Sequence, residues 1–339
     1  MMERDIVLVG HGYWGQNIAR NLHELDRLHG ICDIREDRLK AAEERYPEAH
    51  LFHAFSDVLS DETVAGVAIA SPAASHAALA LQAMEAGKEV FVEKPLALTY
   101  SDGLRMVDAA QTFRRILMVG HLLEYHPAML KLEELVRNGE LGKLQYIYSC
   151  RLNLGKFRRE ENILWSFAPH DIAIILRLVG EQPIEVIATG GAYLHPNVAD
   201  TTVTYLHFDN GLRAHIFVSW LHPYKEQRLV VIGSKKMAVF DDRAAPGEKL
   251  VVYDKGADWV NNVPVPRQGD GVSIVYEHAE PLRREMQHFI RCMETRQQPK
   301  TDGRSGLRVL QVLQAAQQSL QMGGSRVPLF QPSRTPVAL

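Results

Sequence analysis

Three groups of residues have types and spacing that could do chemistry. The first is Glu93-Lys94-Pro95, which closes the apolar run Val90-Phe91-Val92. A lysine just past a buried strand either snorkels to solvent or is a reactive amine at the carboxyl edge of a sheet, where open α/β folds bind ligands. The second is Gly10-His11-Gly12-Tyr13-Trp14-Gly15, a G-x-G-x-x-G directly after the all-apolar Ile6-Val7-Leu8-Val9. Its first glycine permits a tight turn, its second a close approach to a pyrophosphate, its third close packing of helix on strand. The third is Pro169-His170-Asp171, preceded by a loop carrying Arg151, Lys156, Arg158 and Arg159. A lone histidine is more often packed in a core than used, and Asp171 reads as a first-turn helix acid. The basic side chains read as a solvated face; lining a crevice, they would suit a phosphate or carboxylate.

The elements that must position these groups follow from the hydrophobic pattern. Residues 6–9 suit a strand buried on both faces of a parallel sheet. Ile18, Leu22 and Leu25 share one face of a helix whose N-terminus would meet the phosphates. A second strand ends at Asp33, roughly twenty residues past the glycines, where an acid can bond both ribose hydroxyls of NAD and repel the 2′-phosphate of NADP. Arg35 and Arg38 stand close enough to hold such a phosphate, and Asp33 could also cap a helix over 36–46; the balance favours NAD. A third core strand over 64–70 ends in Ser71-Pro72, and a helix over 73–86 stops at Gly87. His76, in its first turn, is as readily a packing residue as a cofactor contact. Strands follow at 90–92 and 116–119, the latter ending in Gly120-His121, with Thr99-x-x-Asp102 as a capping signal between them. Ser71, Pro72, Glu93, Lys94 and His121 thus fall just past strand ends and should line one crevice.

Beyond Gly120 the pattern changes. A helix over 127–138 stops at Gly139. Strands are predicted over 144–152, 184–190, 202–208, 212–220, 228–232, 237–240 and 250–253. Asp209-Asn210-Gly211 is a strong hairpin signal, so these strands read as an antiparallel sheet, able to cover a core with one face and dimerise through the other. An apolar helix is expected over 172–179, entered at Pro-His-Asp. Residues 255–275 read as a long loop, and helices over 281–295 and 305–322 close the chain.

Composition narrows the class. A net charge of −3 over 339 residues gives no bulk attraction for nucleic acid. Cys32, Cys150 and Cys292 lack metal-ligand or disulfide spacing, so no metal site is expected and the thiols read as reduced in a cytoplasm. Neither a signal peptide nor a membrane-spanning run is expected.

Taken in order, G-H-G-Y-W-G, Cys32-Asp33, A-S-P-A-A-S-H from Ala70, A-G-K-E-V-F-V-E-K-P from Ala86 and P-H-D-I from Pro169 resemble the glucose–fructose oxidoreductase / inositol dehydrogenase / MocA (Gfo/Idh/MocA) family. The resemblance covers nearly the whole chain, and E-K-P is its specific element. More narrowly, R-L-N-L-G, L-W-S-F-A-P-H-D-I, V-S-W-L-H-P and T-D-G-R-S-G-L-R-V-L resemble a branch encoded with bacterial surface-polysaccharide genes, whose best-understood relatives oxidise C3 of UDP-N-acetyl-glucosaminuronic acid.

That resemblance implies an α/β fold: a Rossmann doubly wound parallel sheet binding NAD over 1–122, then a substrate-binding and oligomerisation α+β domain with a large, mainly antiparallel open sheet over 123–325. An irregular tail over 326–339 would follow. It implies a homodimer or homotetramer through the open sheet, and a sugar or nucleotide-sugar as the small-molecule partner. Lys94 matches the lysine of E-K-P, and His170 the catalytic histidine. Cofactor contacts are expected from Gly10, Gly12, Tyr13, Trp14, Gly15, Asp33, Ser71, Pro72, His76, Glu93, Lys94 and His121. Substrate contacts are expected from Lys94, Asn153, Lys156, Arg158, Trp165 and His170. Ser166 stands where many relatives carry an acid, four residues before the histidine, and cannot supply its charge; Lys94 and His170 are left to act alone. The Lys94-Pro95 bond is often cis in relatives and is expected to be cis here.

In the implied reaction a secondary hydroxyl gives a hydride to nicotinamide. The Lys94 ammonium would stabilise the developing alkoxide. His170 would accept the proton, and Glu93 would hold the nicotinamide ribose and orient Lys94. Rival readings are a dehydrogenase of a free sugar or inositol, a glycosidase using NAD transiently, or a non-catalytic dinucleotide sensor; a sensor has no need of both Lys94 and His170.

Overall fold

The computed structural model describes residues 5–155 and 157–329. The chain opens with β1 (Ile6–Val9), α1 (Gly15–Glu24), β2 (Leu28–Cys32), α2 (Glu36–Arg45), β3 (His50–Phe52) and α3 (Phe55–Ser60). It continues with β4 (Gly66–Ile69), α4 (His76–Glu85), β5 (Glu89–Glu93), α5 (Tyr100–Thr112) and β6 (Leu117–Gly120). Next come α6 (Pro127–Arg137), β7 (Leu144–Leu152), α7 (Ile163–Val179), β8 (Glu185–Gly191), β9 (Thr201–His207) and β10 (Arg213–Ser219). Then follow β11 (Glu226–Gly233), β12 (Met237–Asp241), β13 (Leu250–Tyr253), β14 (Gly256–Val260), β15 (Val263–Arg267) and β16 (Gly271–Ser273). Helices α8 (Pro281–Thr295) and α9 (Gly303–Gln321) and the short β17 (Val327–Pro328) end the described chain.

Two compact units result. The first takes the chain up to Tyr125 and adds Ala279–Leu310; the second holds His126–His278 and the chain from Gln311. The expected single boundary at 122 instead assigns α8 and the start of α9 to the second domain. An amphipathic stripe says that a helix is buried, not against what. Leu282, Met286 and Phe289 of α8 lie in one core with Ile6, Leu8 and Phe91.

In the first unit six strands pair in the order β3-β2-β1-β4-β5-β6, all parallel. The order reverses between β1 and β4, which opens a crevice at their carboxyl ends. β1, β4 and β6 are buried at every residue, as a sheet covered on both faces requires. Thr99 caps α5 by accepting the Asp102 N–H, as its spacing predicts. β3 and α3 were not predicted. None of the three residues of β3 is buried, so no apolar run marks it.

In the second unit nine strands pair in the order β16-β13-β12-β11-β7-β10-β9-β8-β17. The sheet is not wholly antiparallel as expected: β7 and β10 run parallel at its centre. Gly211, at φ +87, turns the β9–β10 hairpin. Along β7 to β12 buried residues alternate with partly exposed ones, and α7 packs on the buried face. The expected loop over 255–275 is instead a β14–β15 hairpin followed by β16. Asn261 and Asn262, at φ +50 and +62, form the two-residue turn between β14 and β15. Pro264 and Pro266 hide this strand in the sequence, because an edge strand tolerates prolines that a central one does not. Val327 and Pro328 of the expected tail pair with β8, and the rest of that tail lies outside the described residues.

Candidate active site

Within the first unit the residues expected to meet a cofactor gather at the carboxyl ends of β1, β2, β4, β5 and β6. Gly10 adopts φ +99, and a Cβ there would lie 2.8 Å from the Ser71 amide nitrogen, so the turn after β1 packs directly on the turn after β4. A Cβ on Gly15 would strike the Gly10 carbonyl oxygen, which is why α1 can start so close to the turn. At Gly12 only the Arg38 guanidinium lies near a Cβ position, at 3.4 Å, and the space is otherwise open. Among the described residues no side chain caps α1, and the positive end of a helix suits an anion.

Asp33 accepts the His11 amide at 2.8 Å and the Arg35 amide at 2.9 Å. It makes no side-chain cap for α2, whose N-cap is Arg35. Its carboxylate thus ties the end of β2 to the glycine turn. Arg38 stands 3.4 Å from the same carboxylate. Ser71 Oγ lies 2.7 Å from Ser75 Oγ, in the turn that Pro72 opens. His76 is a buried strut: Nδ1 lies 2.8 Å from the Pro95 carbonyl oxygen and Nε2 3.0 Å from that of Ser71. Burial lowers its pKa, and the resulting neutral ring donates to one of the two carbonyls.

Glu93 ends β5. Its Oε1 accepts the Trp14 indole N–H at 2.5 Å, and Oε2 accepts the Lys94 amide at 3.2 Å. The residue keeps a partial opening to solvent, yet its carboxyl is surrounded by protein. Burial raises its pKa to about 7, against the opposing pull of the Trp14 hydrogen bond and the Lys94 charge. Tyr13 is 88% exposed beside Trp14. The Lys94–Pro95 bond is cis, as the resemblance implies. His121, just past β6, is buried.

In the second unit α7 begins earlier than expected, at Ile163. Asn162 caps it by accepting the Trp165 N–H at 3.2 Å. The Asn162 amide and the Trp165 indole both donate to Gln317 Oε1, at 2.8 and 3.1 Å, which pins this end of α7 to α9. Pro169 lies inside the helix, so His170 and Asp171 are mid-helix residues rather than a helix start. A proline there withholds one backbone donor but does not end the helix. Asp171 is therefore no first-turn acid. It is buried and accepts the Ser149 hydroxyl and Arg151 Nε, the latter at 2.8 Å.

Arg151 is correspondingly not part of a solvated basic face. Its side chain is 13% exposed and its charge is paired. The strand's phase carries the signal: Ile147, Ser149 and Arg151 alternate onto one face of β7, the one α7 covers. Arg158 is exposed and reaches Glu161 at 2.7 Å. Asn153 holds the end of β7 through its backbone N–H, which donates to the Ser219 carbonyl oxygen at 3.1 Å. Ser166 is buried one helical turn before the half-buried His170. Lys156 lies outside the described residues.

Two family models match the chain: an oxidoreductase family with an NAD-binding Rossmann fold over residues 4–121, and a GFO/IDH/MocA C-terminal domain over residues 129–239. The myo-inositol 2-dehydrogenase of Thermotoga maritima is 28% identical over 334 residues, 93% of this chain and 96% of its own. The UDP-N-acetylglucosamine 3-dehydrogenase of Acidithiobacillus ferrooxidans is 28% identical over 311 residues, 89% of this chain and 93% of its own. A crystal structure of that enzyme, GnnA, superposes with a TM-score of 0.83 at 24% identity, over 95% of this chain and 99% of its own. The WlbA dehydrogenase of Bordetella pertussis, solved with NADH and UDP-GlcNAcA, gives 0.78 at 24% identity, over 97% and 99% of the two chains.

Proposed function

The chain belongs to the Gfo/Idh/MocA family of NAD-dependent oxidoreductases, and from that premise we propose that it oxidises a secondary hydroxyl, at C3, of a nucleotide-sugar. The observation that carries the reading is Glu93-Lys94 at the carboxyl end of β5, with Glu93 hydrogen-bonded to Trp14 of the glycine turn. Support for the cofactor comes from the turn, where a Cβ at Gly12 would meet only the Arg38 guanidinium; in this reading the pyrophosphate lies over Gly12 and Asp33 bonds the ribose hydroxyls. NAD, when bound, supplies the hydride acceptor.

In this reading the Lys94 ammonium hydrogen-bonds the substrate hydroxyl and stabilises charge that develops on its oxygen. His170 accepts the hydroxyl proton. Glu93 orients Lys94 and holds the nicotinamide ribose. Trp165, Asn153 and Arg158 meet the substrate, Arg158 through its charge on a phosphate or carboxylate. Support for the nucleotide-sugar comes from the similarity to UDP-N-acetylglucosamine 3-dehydrogenase; the equal identity to a myo-inositol 2-dehydrogenase favours a polyol as the second reading. We place the activity in the cytoplasm, in the supply of sugars for surface polysaccharide, in an oligomer formed through the open sheet.

The test is to incubate the purified chain with NAD and a panel of UDP-sugars, free sugars and inositols, and follow the absorbance of reduced nicotinamide. Turnover of free sugars or inositol alone rejects the nucleotide-sugar. Lys94→Ala is expected to bind NAD and lose turnover by at least about a hundredfold, the scale of one lost oxyanion donor. Hydride transfer at the wild-type rate in that variant rejects the role of Lys94.

A further inference from the structure

Glu285 lies on α8 with no exposed surface, and neither of its carboxyl oxygens has a hydrogen-bond partner among the described residues. An acid left this way is costly and calls for a reason. Register fixes its place. Glu89, Phe91 and Glu93 alternate onto one side of β5. The Phe289 ring packs 5.9 Å from Phe91, and Arg296, just past α8, reaches Glu89 at 2.5 Å. Four residues of helix and two of strand both advance about 6 Å. Glu285, four residues before Phe289, thus falls on the Glu93 side of Phe91, and the Glu93 charge acts on it.

The elements packed around Glu285 bring both acids and cations: Lys94 stands beside Glu93, and the Lys300 ammonium donates to the Glu124 carbonyl oxygen at 3.2 Å. From the 3₁₀ turn Leu122–Tyr125, which packs on α8, come the buried Glu124 and Tyr125, whose hydroxyl lies 3.0 Å from Thr301 Oγ1. From α1, Arg20 bonds Glu24 and Glu280, while Glu24 also receives Arg283 of α8 at 2.8 Å. Along α8 itself Arg284 and His288 flank Glu285, and His288 Nε2 accepts the Lys300 amide at 3.0 Å. Burial, then the charges of Glu93 and Glu124, push the Glu285 pKa well above that of an ordinary glutamate. Two facing carboxyls in a dry site do not both ionise, and their protons leave in steps that belong to the pair.

We propose that Glu93 and Glu285 form a coupled pair carrying one negative charge, held on Glu93, with the remaining proton on Glu285, and that this proton leaves more readily when positive charge arrives at the cofactor edge. Glu285 is thus a positioning residue, acting through Glu93. The proposal rests on that edge being the NAD site: the oxidised nicotinamide ring is positively charged and the reduced ring neutral.

Trp14 supplies the probe, because its indole N–H donates to Glu93. The ¹⁵N–¹H resonance of that indole, assigned by its loss in Trp14→Phe, is followed from about pH 5 to about pH 10 in the full chain, alone, with NAD⁺ and with NADH. Two steps are expected in the unliganded protein, the first at about 7 and the second alkaline. NAD⁺ should lower the second step by at least about half a pH unit relative to NADH. Glu285→Gln keeps the shape without the proton; it should retain the first step and lose the second. A single step in the wild type, an alkaline step that survives Glu285→Gln, or equal midpoints with both cofactors overturns the proposal. If neither cofactor perturbs the glycine-turn amides, the cofactor reading fails, while the unliganded titration still decides whether the pair exists.

Discussion

Asp33 shows how much one carboxylate can decide. It holds two backbone amides, and Arg38 stands beside it at 3.4 Å. The charge that would repel a 2′-phosphate and the cation that would attract one therefore share a position. Removing the acid should change cofactor preference, not simply weaken binding: Asp33→Asn keeps the shape and frees Arg38 for a phosphate. The variant is expected to lose about tenfold in NAD affinity and to gain at least about tenfold in NADP affinity, since a like charge at close range costs several kcal/mol. Calorimetric titration with both cofactors checks this; unchanged discrimination would mean that Asp33 serves the loop alone. Asp33, Glu93 and Lys94 were legible in the sequence because each follows a strand end at a motif-fixed spacing. Glu285 was not. It sits in an amphipathic helix almost two hundred residues from Glu93, and nothing local marks a buried acid as facing another one.

At the scale of elements, α7 and β7 are joined by more than apolar packing. Ser149 and Arg151 from the strand converge on Asp171 of the helix, one residue past His170. The ion pair is buried at both ends, at 13% and 4% side-chain exposure, so breaking it strands a charge in the core. Arg151→Met alone should cost about 3–5 kcal/mol of stability, and Arg151→Met with Asp171→Leu should recover most of it. Denaturant unfolding midpoints of the two variants check this. Equal losses in both would show that the contact is one of shape, not charge. The apolar periodicity of α7 is visible in the sequence, where Pro169 reads as its beginning; the start lies instead at an asparagine cap that a basic loop obscures. The nine-residue β7 and the four-residue β13 are legible to the residue, because period-two burial repeats along them. The β14–β15 hairpin is not, because its residues are exposed on both faces and carry no alternation.

At the scale of the whole molecule, the nine-stranded sheet presents one buried face and one apolar face that stays partly open. A row across the open face runs Ile187, Tyr205, His215, Tyr148, Val230, Val239 by strand register. The His215 ring stacks on Tyr148 at 5.4 Å, and its Nδ1 lies 2.6 Å from the Tyr146 hydroxyl. Burial lowers the His215 pKa, so the row stays uncharged near neutrality. Contiguous apolar surface of this kind is a mark of association, and a self-complementary face suits a two-fold pair. Tyr205 is 41% exposed, so a charge there should spare the monomer's core while opposing a second copy. Tyr205→Glu is expected to reduce the particle mass, measured by light scattering, to that of one 38.2 kDa chain, with the circular dichroism unchanged. The exposed hairpin offers the competing surface, with Trp259 73% exposed. A mass that survives Tyr205→Glu but falls in Trp259→Ser would move the interface from the sheet to that hairpin.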